Sequence, residues 1–588
     1  MADRPFTGWT GRLLQIDLTA GQHRFQAPPQ EVYHAYLGGR GMAGAYLRDH
    51  VTLAWDDPAM PLLLVAGPLV ATASPTSGRM TFMSRSPLTG TIGDCSVGGA
   101  LGTQLKRAGL DGVIVTGRRE RPCGIEIDDG SVRIQDASEL AGVETGPVTA
   151  SLKAKGAVAV IGPAAENGCL FASVMVDGRH AAGRNGLGAV FAAKNVKYVT
   201  VRGRGKVPVH DPQGLAKARE DIFRLVAASP VLMGEHGISH FGTPALYDLM
   251  HARRMMPTEN FRKTYFPAAP SMNAYAQHQR YRPTKAGCRG CHILCKMRLP
   301  TGGHLPEFET LSHFSALLGN EDIEAVVAAN DRCGELGMDT ISAAATLACY
   351  AQIEGRTLAA DEILSLLEDI GRRRGAGADL GQGSYRYAAS VGRPELSMSV
   401  KCQELPAYDP RGAYGMALAY AVSTRGGDHL RAYPISHEIL RKPVATDRFS
   451  FSGKARIIKI AEDMNAAVDS LTACKFVFFA SSLEEYAKAY AAVTGVPATA
   501  QDLLRIGERI YYNERMMNAI NGFSSDHDDL PRRFFEQEGS SGNNIRIAPI
   551  SRQEFLVARA NYYKVRGLDE RGMPTEAKAA ELGLPWSN

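Results

Sequence analysis

Several features are missing from this sequence, and each absence removes a class of protein. No stretch approaches about 18 uninterrupted apolar residues, so no membrane span is expected. The longest apolar run, around Pro61–Val70, is short and broken by Pro and Gly, as a buried strand would be. There is no run of Lys or Arg and no basic stripe interleaved with aromatics. With a net charge of only +5 on 588 residues, nucleic acid is not an expected partner. The opening Met1-Ala-Asp-Arg-Pro-Phe6 lacks the apolar core and small-residue cleavage site of a secretory signal. Ten cysteines without such a signal read as reduced thiols, which predicts a cytoplasmic protein. No fixed-period repeat, low-complexity segment or FAD or NAD fingerprint is evident. What remains, 45% hydrophobic and 22% charged, is ordinary for a globular chain long enough for two to four domains.

The first 200 residues differ in pattern from the rest. Gly11–Leu18, Val113–Thr116, Gly124–Ile127, Val132–Ile134, Val158–Ile161 and Val196–Arg202 are short, β-branched and bounded by Gly, Asp or Pro, which predicts strands. Helical signals are few there, mainly near Gly98–Arg107. From Gln213 the apolar residues recur every three or four positions. Helices are predicted over Ile323–Leu336, Ile341–Ile353, Ala360–Arg373, Gly453–Asn465, Leu483–Thr494 and Ala500–Met517. The expected fold is α+β: a β-rich N-terminal domain of two packed sheets (1–205), then two mainly α-helical domains (206–395 and 396–588).

One short stretch carries most of the chemical information. Cys288-Arg-Gly-Cys291-His-Ile-Leu-Cys295 places three thiols within about two helical turns, close enough to converge on one inorganic centre. The reading that fits best is an iron–sulfur centre with a fourth ligand from elsewhere. Zinc would call for another nearby Cys or His, usually as two separated pairs, and His292 beside Cys291 is badly placed to complete a tetrahedron. Inert thiols are the third reading. Among the other cysteines, Cys333 and Cys349 lie on Ala-rich helical segments and read as packed thiols. Cys474 ends Asp469-Ser-Leu-Thr-Ala-Cys474, after a helix and before Phe476-Val-Phe-Phe479, where a thiolate and free backbone N–H groups could both be presented.

At this point the chain resembles a known family over essentially its whole length. The triplet with remote Cys474 is similar to the [4Fe–4S] ligand set of the tungsten-dependent aldehyde ferredoxin oxidoreductases. Gly11–Thr19, Tyr36-Leu-Gly-Gly-Arg-Gly41, Gly67-Pro-Leu69, Pro75–Arg79, Ser86–Gly90 and Ala181–Gly188 resemble the family's N-terminal domain. Pro306–Thr310, Glu335–Ser342, Pro406–Gly412 and Ser423–Leu430 continue the match in the same order. Each motif alone is weak, but their shared order over more than 400 residues is specific. S-adenosylmethionine radical enzymes, with the reverse C-x3-C-x2-C spacing, and large molybdopterin oxidoreductases, with an N-terminal cluster, fit less well.

The resemblance implies a tungsten (or molybdenum) bis-pyranopterin cofactor, a [4Fe–4S] cluster held by Cys288, Cys291, Cys295 and Cys474, and Mg²⁺ bridging the pterin phosphates. Gly/Arg loops suit phosphate, since Gly permits close backbone approach and Arg supplies forked donors. Arg79, Ser96, Gly98, Ala182, Gly183 and Arg184 fall where the family holds the phosphates and Mg²⁺, with Ser96 where the family often has Asn. Two pterin-gripping signatures of the form D-x-x-G-L-(D/C) align with Gly334–Asp339 and Asp469–Cys474. Gly334 replaces the first Asp of one, and Thr472 the Gly of the other. Asp339, Asp469 and Ala473 are the resulting cofactor positions, joined by Arg425, Gly426 and Arg431, the last being Lys in the family pattern.

Glu309 and His429 match the family's acid/base pair, a carboxylate to activate water or relay a proton and an imidazole to polarise a carbonyl. The implied reaction oxidises an aldehyde to a carboxylic acid, with electrons leaving to ferredoxin or a ferredoxin-like subunit. A flavin/NAD subunit and a homodimer are further expected partners. Alternatives are a benzoyl-CoA reductase-type catalytic subunit and a non-enzymatic electron-transfer subunit.

Overall fold

The computed structural model describes residues 7–288 and 290–586. The N-terminal region folds into two six-stranded sheets. Strands β1 (Leu13–Asp17), β2 (Gln22–Gln26), β3 (Leu62–Val65), β4 (Met80–Arg85), β5 (Ile92–Val97) and β6 (Gly112–Thr116) form the first. Strands β7 (Cys123–Asp128), β8 (Ser131–Asp136), β9 (Ala157–Ile161), β10 (Val174–Val176), β11 (His180–Ala182) and β12 (Val196–Arg202) form the second. The spatial orders are β2-β1-β6-β3-β4-β5 and β8-β7-β12-β9-β10-β11. In each sheet one pair is parallel, β1 with β6 and β7 with β12, and the other pairings are antiparallel. The second sheet therefore repeats the topology of the first, strand for strand, although the sequence has no recognisable repeat.

The inner strands are continuous apolar runs (Leu62-Leu-Leu-Val65, Ala157-Val-Ala-Val-Ile161) buried on both faces, which only a covered sheet permits. The equivalent edge strands β5 and β11 lie against each other. Just past them, Gly98 approaches His180 so closely that a Cβ at 98 would stand 3.0 Å from Nδ1. The predicted residues Ser96 and Ala182 thus sit on matching strands of the two sheets.

The N-terminal region holds more helix than its sequence suggested, including Gln30–Tyr36, Gly39–Leu47, Thr145–Leu152 and Leu187–Ala193 besides Leu101–Arg107. Gly39–Leu47 shows why. Its glycines are poor helix formers, but Gly41 is needed for close packing, since a Cβ there would stand 2.6 Å from Ile510 Cδ1. Tertiary contact overrides propensity at this point.

Beyond residue 211 the chain is mainly helical. Ile323–Leu336 and Leu483–Thr494 match their expected bounds. Lys454–Leu471 runs six residues past its predicted end and so carries Asp469 into its last turn. The two largest buried clusters each join a sheet to helices from distant parts of the chain, so the packing is continuous across positions 205 and 395. No helix among the described residues is long and apolar enough to cross a membrane.

Candidate active site

The two signatures adopt one local shape, and each docks on the matching place of its sheet. In both, a helix ends, the fourth residue turns left-handed (Gly337 φ +74°, Thr472 φ +57°), and a capping residue follows (Asp339, Cys474). Within two residues of their ends, β3 and β9 run into Gly67-Pro68 and Gly162-Pro163. A Cβ on Gly67 would lie 2.5 Å from the Leu471 carbonyl, and one on Gly162 would strike the Leu336 carbonyl. The residue before β4, Arg79, donates its N–H to the Thr472 carbonyl (3.4 Å); the residue before β10, Ser173, donates to the Gly337 carbonyl (2.8 Å). Glycine is thus required where strand and signature backbones touch.

Thr472 stands where the family pattern has Gly, and a β-branched residue is unfavourable in the left-handed region. Its hydroxyl compensates by accepting from the Gly67 N–H (3.1 Å) and donating to the Leu471 carbonyl (2.7 Å).

The endings of the turns differ in chemistry. Asp339 caps the helix Thr340–Ile353, its carboxylate accepting from Ile341 N–H (3.1 Å) and Ser342 Oγ (2.8 Å), with Arg184 Nε 3.5 Å away. Thr340 bonds Thr310 (2.8 Å), tying this turn to the helix Phe308–Ser312 that presents Glu309. Cys474 N–H donates to Thr76 O (3.0 Å), in the loop that leads to Arg79.

The cysteines of the triplet lie across a two-stranded hairpin, β13 (Thr284–Ala286) with β14 (Lys296–Arg298), whose connection is the cysteine loop. Burial opposes the Arg79 charge, yet Cys474, Cys288, Asp469 and Cys295 around it hold it above its ordinary value, which brings the remote cysteine and the triplet to one guanidinium. Cys474 also feels Cys291 and Cys288. Burial pushes the Cys474 thiol up to about 11 and Cys295 well above its ordinary value, so these thiols stay protonated unless a cation draws the proton off. A single tetrahedral ion would hold four sulfurs roughly 3.8 Å apart, given metal–sulfur bonds of about 2.3 Å. Among the described residues no group of three or more His, Cys, Asp or Glu is arranged to hold a single metal ion. Cys288 Sγ also lies 4.0 Å from His180 Nδ1 and would lie 2.5 Å from a Cβ on residue 98.

Glu309 and His429 lie side by side, with Nε2 3.6 Å from Oε1. The second oxygen of Glu309 accepts the Ala407 N–H (2.8 Å). Burial, reinforced by Asp339 and Asp428, pushes the Glu309 carboxyl up to about 8. Burial, with Arg184 and Arg425 nearby, pushes His429 down to about 3 against the pull of Asp428. At neutral pH both are uncharged. The helix carrying Glu309 continues as a π-helical turn, His313–Leu317, in which the neutral His313 ring lies between the Glu309 and Leu405 carbonyls (2.7 and 3.1 Å) and donates to one of them. Phe308, Tyr408 and Tyr433 wall the pocket with aromatic rings, Tyr408 lying 5.5 Å and Tyr433 5.9 Å from His429 between centroids.

The other predicted residues divide by what they already touch. Arg79 is bonded to Ser96 through both hydroxyl (2.9 Å) and carbonyl, so the Ser96 side chain is occupied by a protein partner. Arg425 forks onto Asp428 (3.0 and 3.0 Å), and Arg431 onto Asp94. Burial alone would raise the Asp94 carboxyl, but Arg431, Arg425 and Arg40 hold it far below the usual range. Both arginines therefore form a buried charge lattice with Asp94, Asp428 and Glu514. Gly426, with φ +92°, fits against Gln403, where a Cβ would stand 2.8 Å from that side chain. Ala182 and Ala473 are buried, and Gly183 opens onto Asp339, with Oδ1 3.9 Å from its Cβ position.

Four of the predicted residues have a buried polar atom without a hydrogen-bond partner: Arg184 Nη1, Glu309 Oε1, His429 Nδ1 and Asp469 Oδ1. Unpaired buried polar atoms are costly, so each of these four is able to take a polar group of a ligand. An open cleft of about 420 Å³ lined by Gln15, Asp17, His23, Arg24, Tyr46 and His50 contains none of them.

Sequence reasoning did not single out Asp94, Arg40, Asp428, Lys475, Tyr408 or His180. Most lie inside or beside motifs already noted: Asp428 precedes His429, and Lys475, which pairs with Asp469 at 2.9 Å, follows Cys474. Adjacency was the available signal. Glu514 gave none.

This paired scaffold has counterparts among known proteins. The active-site complex BamBC of benzoyl coenzyme A reductase, solved with 1,5-dienoyl-CoA, has the same fold, with a TM-score of 0.84 and 20% identity over 98% of this chain and 97% of that one. The family model for the N-terminal domain of aldehyde ferredoxin oxidoreductase matches residues 13–203, and that for its domains 2 and 3 matches residues 217–584. The tungsten-containing aldehyde ferredoxin oxidoreductases of Pyrococcus furiosus and Thermococcus kodakarensis are 36% and 35% identical, each comparison covering 98% of both chains. This chain belongs to the aldehyde ferredoxin oxidoreductase family and is an oxidoreductase.

Proposed function

We propose that this protein oxidises aldehydes to carboxylic acids in the pocket of Glu309 and His429, and that the electrons leave through a [4Fe–4S] cluster on Cys288, Cys291, Cys295 and Cys474. A tungsten bis-pyranopterin, when bound, supplies the two-electron acceptor and the oxygen-transfer chemistry. Arg184 Nη1 and Asp469 Oδ1 are the donor and acceptor free to hold it. Ala182 and Gly183 would lie beside its phosphates and Mg²⁺, whereas their counterparts Ser96 and Gly98 are already packed against Arg79 and against His180 and Cys288, so they would act through those neighbours. Two matched signatures on two matched sheets fit a cofactor of two similar halves.

The chain's own acid–base work follows from the pair. Glu309 Oε2 is taken by Ala407 N–H, so its proton sits on Oε1 facing His429 Nε2. That fixes the imidazole tautomer with N–H at Nδ1, the atom without a partner, free to donate to a carbonyl oxygen. Once ionised, Glu309 is a stronger base than an ordinary carboxylate and can take the proton released on oxidation. Phe308, Tyr408 and Tyr433 limit water around the reacting carbonyl. Arg79, among Asp469 and the cysteines, links the pocket to the electron outlet.

The observation that carries this reading is the set of four unpartnered buried polar atoms on Arg184, Glu309, His429 and Asp469. Anaerobically purified protein should contain about four iron atoms and about one tungsten or molybdenum per chain and reduce viologen when given an aldehyde. Iron without tungsten or molybdenum, in protein purified from cells supplied with both metals, would overturn it.

A further inference from the structure

Lys475 opens the short helical turn Lys475–Phe479 directly after Cys474, and its ammonium reaches two other parts of the molecule. It donates to the Leu430 carbonyl (2.8 Å), one residue beyond His429, and pairs with Asp469 Oδ2 (2.9 Å). One side chain thus joins the loop of the imidazole, a buried carboxylate and the backbone of a cysteine.

The two matched turns differ at their outer positions as well as at their closing ones. On the second sheet the signature begins with Gly334 and is followed by Thr340, both uncharged. On the first sheet the same positions are Asp469 and Lys475, and they form an ion pair. The residue past each turn nevertheless has one task in common. Thr340 bonds Thr310, next to Glu309, and Lys475 bonds the carbonyl next to His429. Each turn is thereby fastened to one member of the acid–base pair, once by a hydroxyl and once by a cation.

The cation also fixes how Asp469 faces the pocket. Arg40 and Lys475 both approach Oδ2, at 3.3 and 2.9 Å, which leaves Oδ1 without a partner. Arg40 is already forked onto Glu514 (2.6 and 2.8 Å), so Lys475 is the nearer and less divided of the two cations. Without it Asp469 keeps only a shared, longer contact. A buried carboxylate that loses a partner is costly, and extra negative charge beside the cysteines opposes an arriving electron.

We propose that Lys475 is a positioning residue that turns Asp469 Oδ1 toward the cofactor, holds the His429 loop to the same turn, and eases reduction of the cysteine centre by placing a positive charge beside Cys474. The proposal rests on the reading that Asp469 holds the cofactor and that electrons leave through the cysteines.

The test compares wild type with Lys475→Gln and Lys475→Met, which remove the charge, and with Lys475→Arg, which keeps it; Gln also keeps an N–H donor for the Leu430 carbonyl. All are purified anaerobically from cells supplied with tungsten, their metal content is measured, and the cysteine centre is titrated electrochemically with its paramagnetic signal as the readout. Both neutral variants should keep about four iron atoms. They should hold less than about half the tungsten of wild type and be at least about tenfold harder to reduce, a midpoint lowered by about 59 mV or more for one electron. Lys475→Arg should stay within about threefold of wild type in that equilibrium.

An unchanged midpoint in the neutral variants overturns the proposal, and full tungsten in them overturns the role given to Asp469. A shift in Lys475→Arg as large as in Lys475→Met also overturns it, because lost packing rather than lost charge would then be the cause. If neither neutral variant folds, Lys475→Arg decides alone, and a midpoint far from that of wild type overturns the proposal. Wild type that carries both metals while every variant behaves like it sinks this proposal and leaves the proposed function standing. Wild type with iron but neither tungsten nor molybdenum sinks both.

Discussion

The two halves of the N-terminal region are the same device used for different ends. Each is a six-stranded sheet of one topology, each ends an inner strand in Gly-Pro, and each receives a left-handed turn whose carbonyl is held by the residue before the next strand. The turn on the second sheet ends in Asp339, beside Arg184 and tied through Thr310 to the helix of Glu309. The turn on the first sheet ends in Cys474, beside Arg79 and the other cysteines. In the proposed function one half therefore serves proton chemistry and the other electron transfer. A symmetric scaffold holds both, and the residues that close the two turns make the difference.

Changing those residues should affect the two halves differently. Cys474→Ala should have the largest effect, with iron content and aldehyde-dependent viologen reduction both falling to near background. Asp339→Ala should keep its iron and lose about 1 kcal/mol of stability from the missing helix cap. Metal analysis beside chemical denaturation separates the two, and full iron in Cys474→Ala would place the fourth ligand elsewhere.

Next in size, Glu309→Gln should lower kcat by about 10²–10⁴-fold with iron and tungsten content intact. Loss of metal in that variant would instead make Glu309 structural.

The pH dependence sharpens the proton side. With its carboxyl raised to about 8, Glu309 gains basicity as pH rises, so kcat/KM should climb toward pH 8 and the climb should vanish in Glu309→Gln. The same shift has a stability sign. Between the ordinary carboxylate value of 4.5 and about 8 the unfolded chain releases this proton and the folded chain keeps it, so stability falls as pH rises through that window. Thermal melts of the cofactor-free chain should show a shallower decline for Glu309→Gln.

The smallest effects compare the turns themselves. Gly337→Ala forces a Cβ into the left-handed region 2.8 Å from the Gly162 nitrogen and should cost about 1–3 kcal/mol. Thr472→Gly relieves a strain of about 1–2 kcal/mol and gives up two hydrogen bonds worth about 1 kcal/mol each, so its net change should stay within about 1 kcal/mol. Denaturation curves in which Thr472→Gly is the more damaging change would break the equivalence of the two turns.

Much of this was legible beforehand, for reasons that differ by feature. Strands such as Val196–Arg202 and helices such as Ile323–Leu336 announce themselves through period-two and period-3.6 patterns, because one face of each must be apolar. Cys288, Cys291 and Cys295 are legible because local spacing alone brings them together. Glu309 and His429 became candidates only through the family resemblance, since a lone Glu or His carries no pattern. The helix Gly39–Leu47 was missed because its glycines serve contact with distant segments and look like a loop.

By itself the sequence determined the two-part α+β organisation, the three clustered cysteines and the polar motifs, all of which depend on neighbours a few residues apart. Only the tertiary structure decided that the sheets duplicate one another, that Cys474 joins residues some 180 positions away, and that Arg425 and Arg431 are spent on Asp94 and Asp428. It also decided that Glu309 holds its proton while His429 gives its up. These depend on burial and on charges meeting across the fold, and neither exists until the chain has closed on itself.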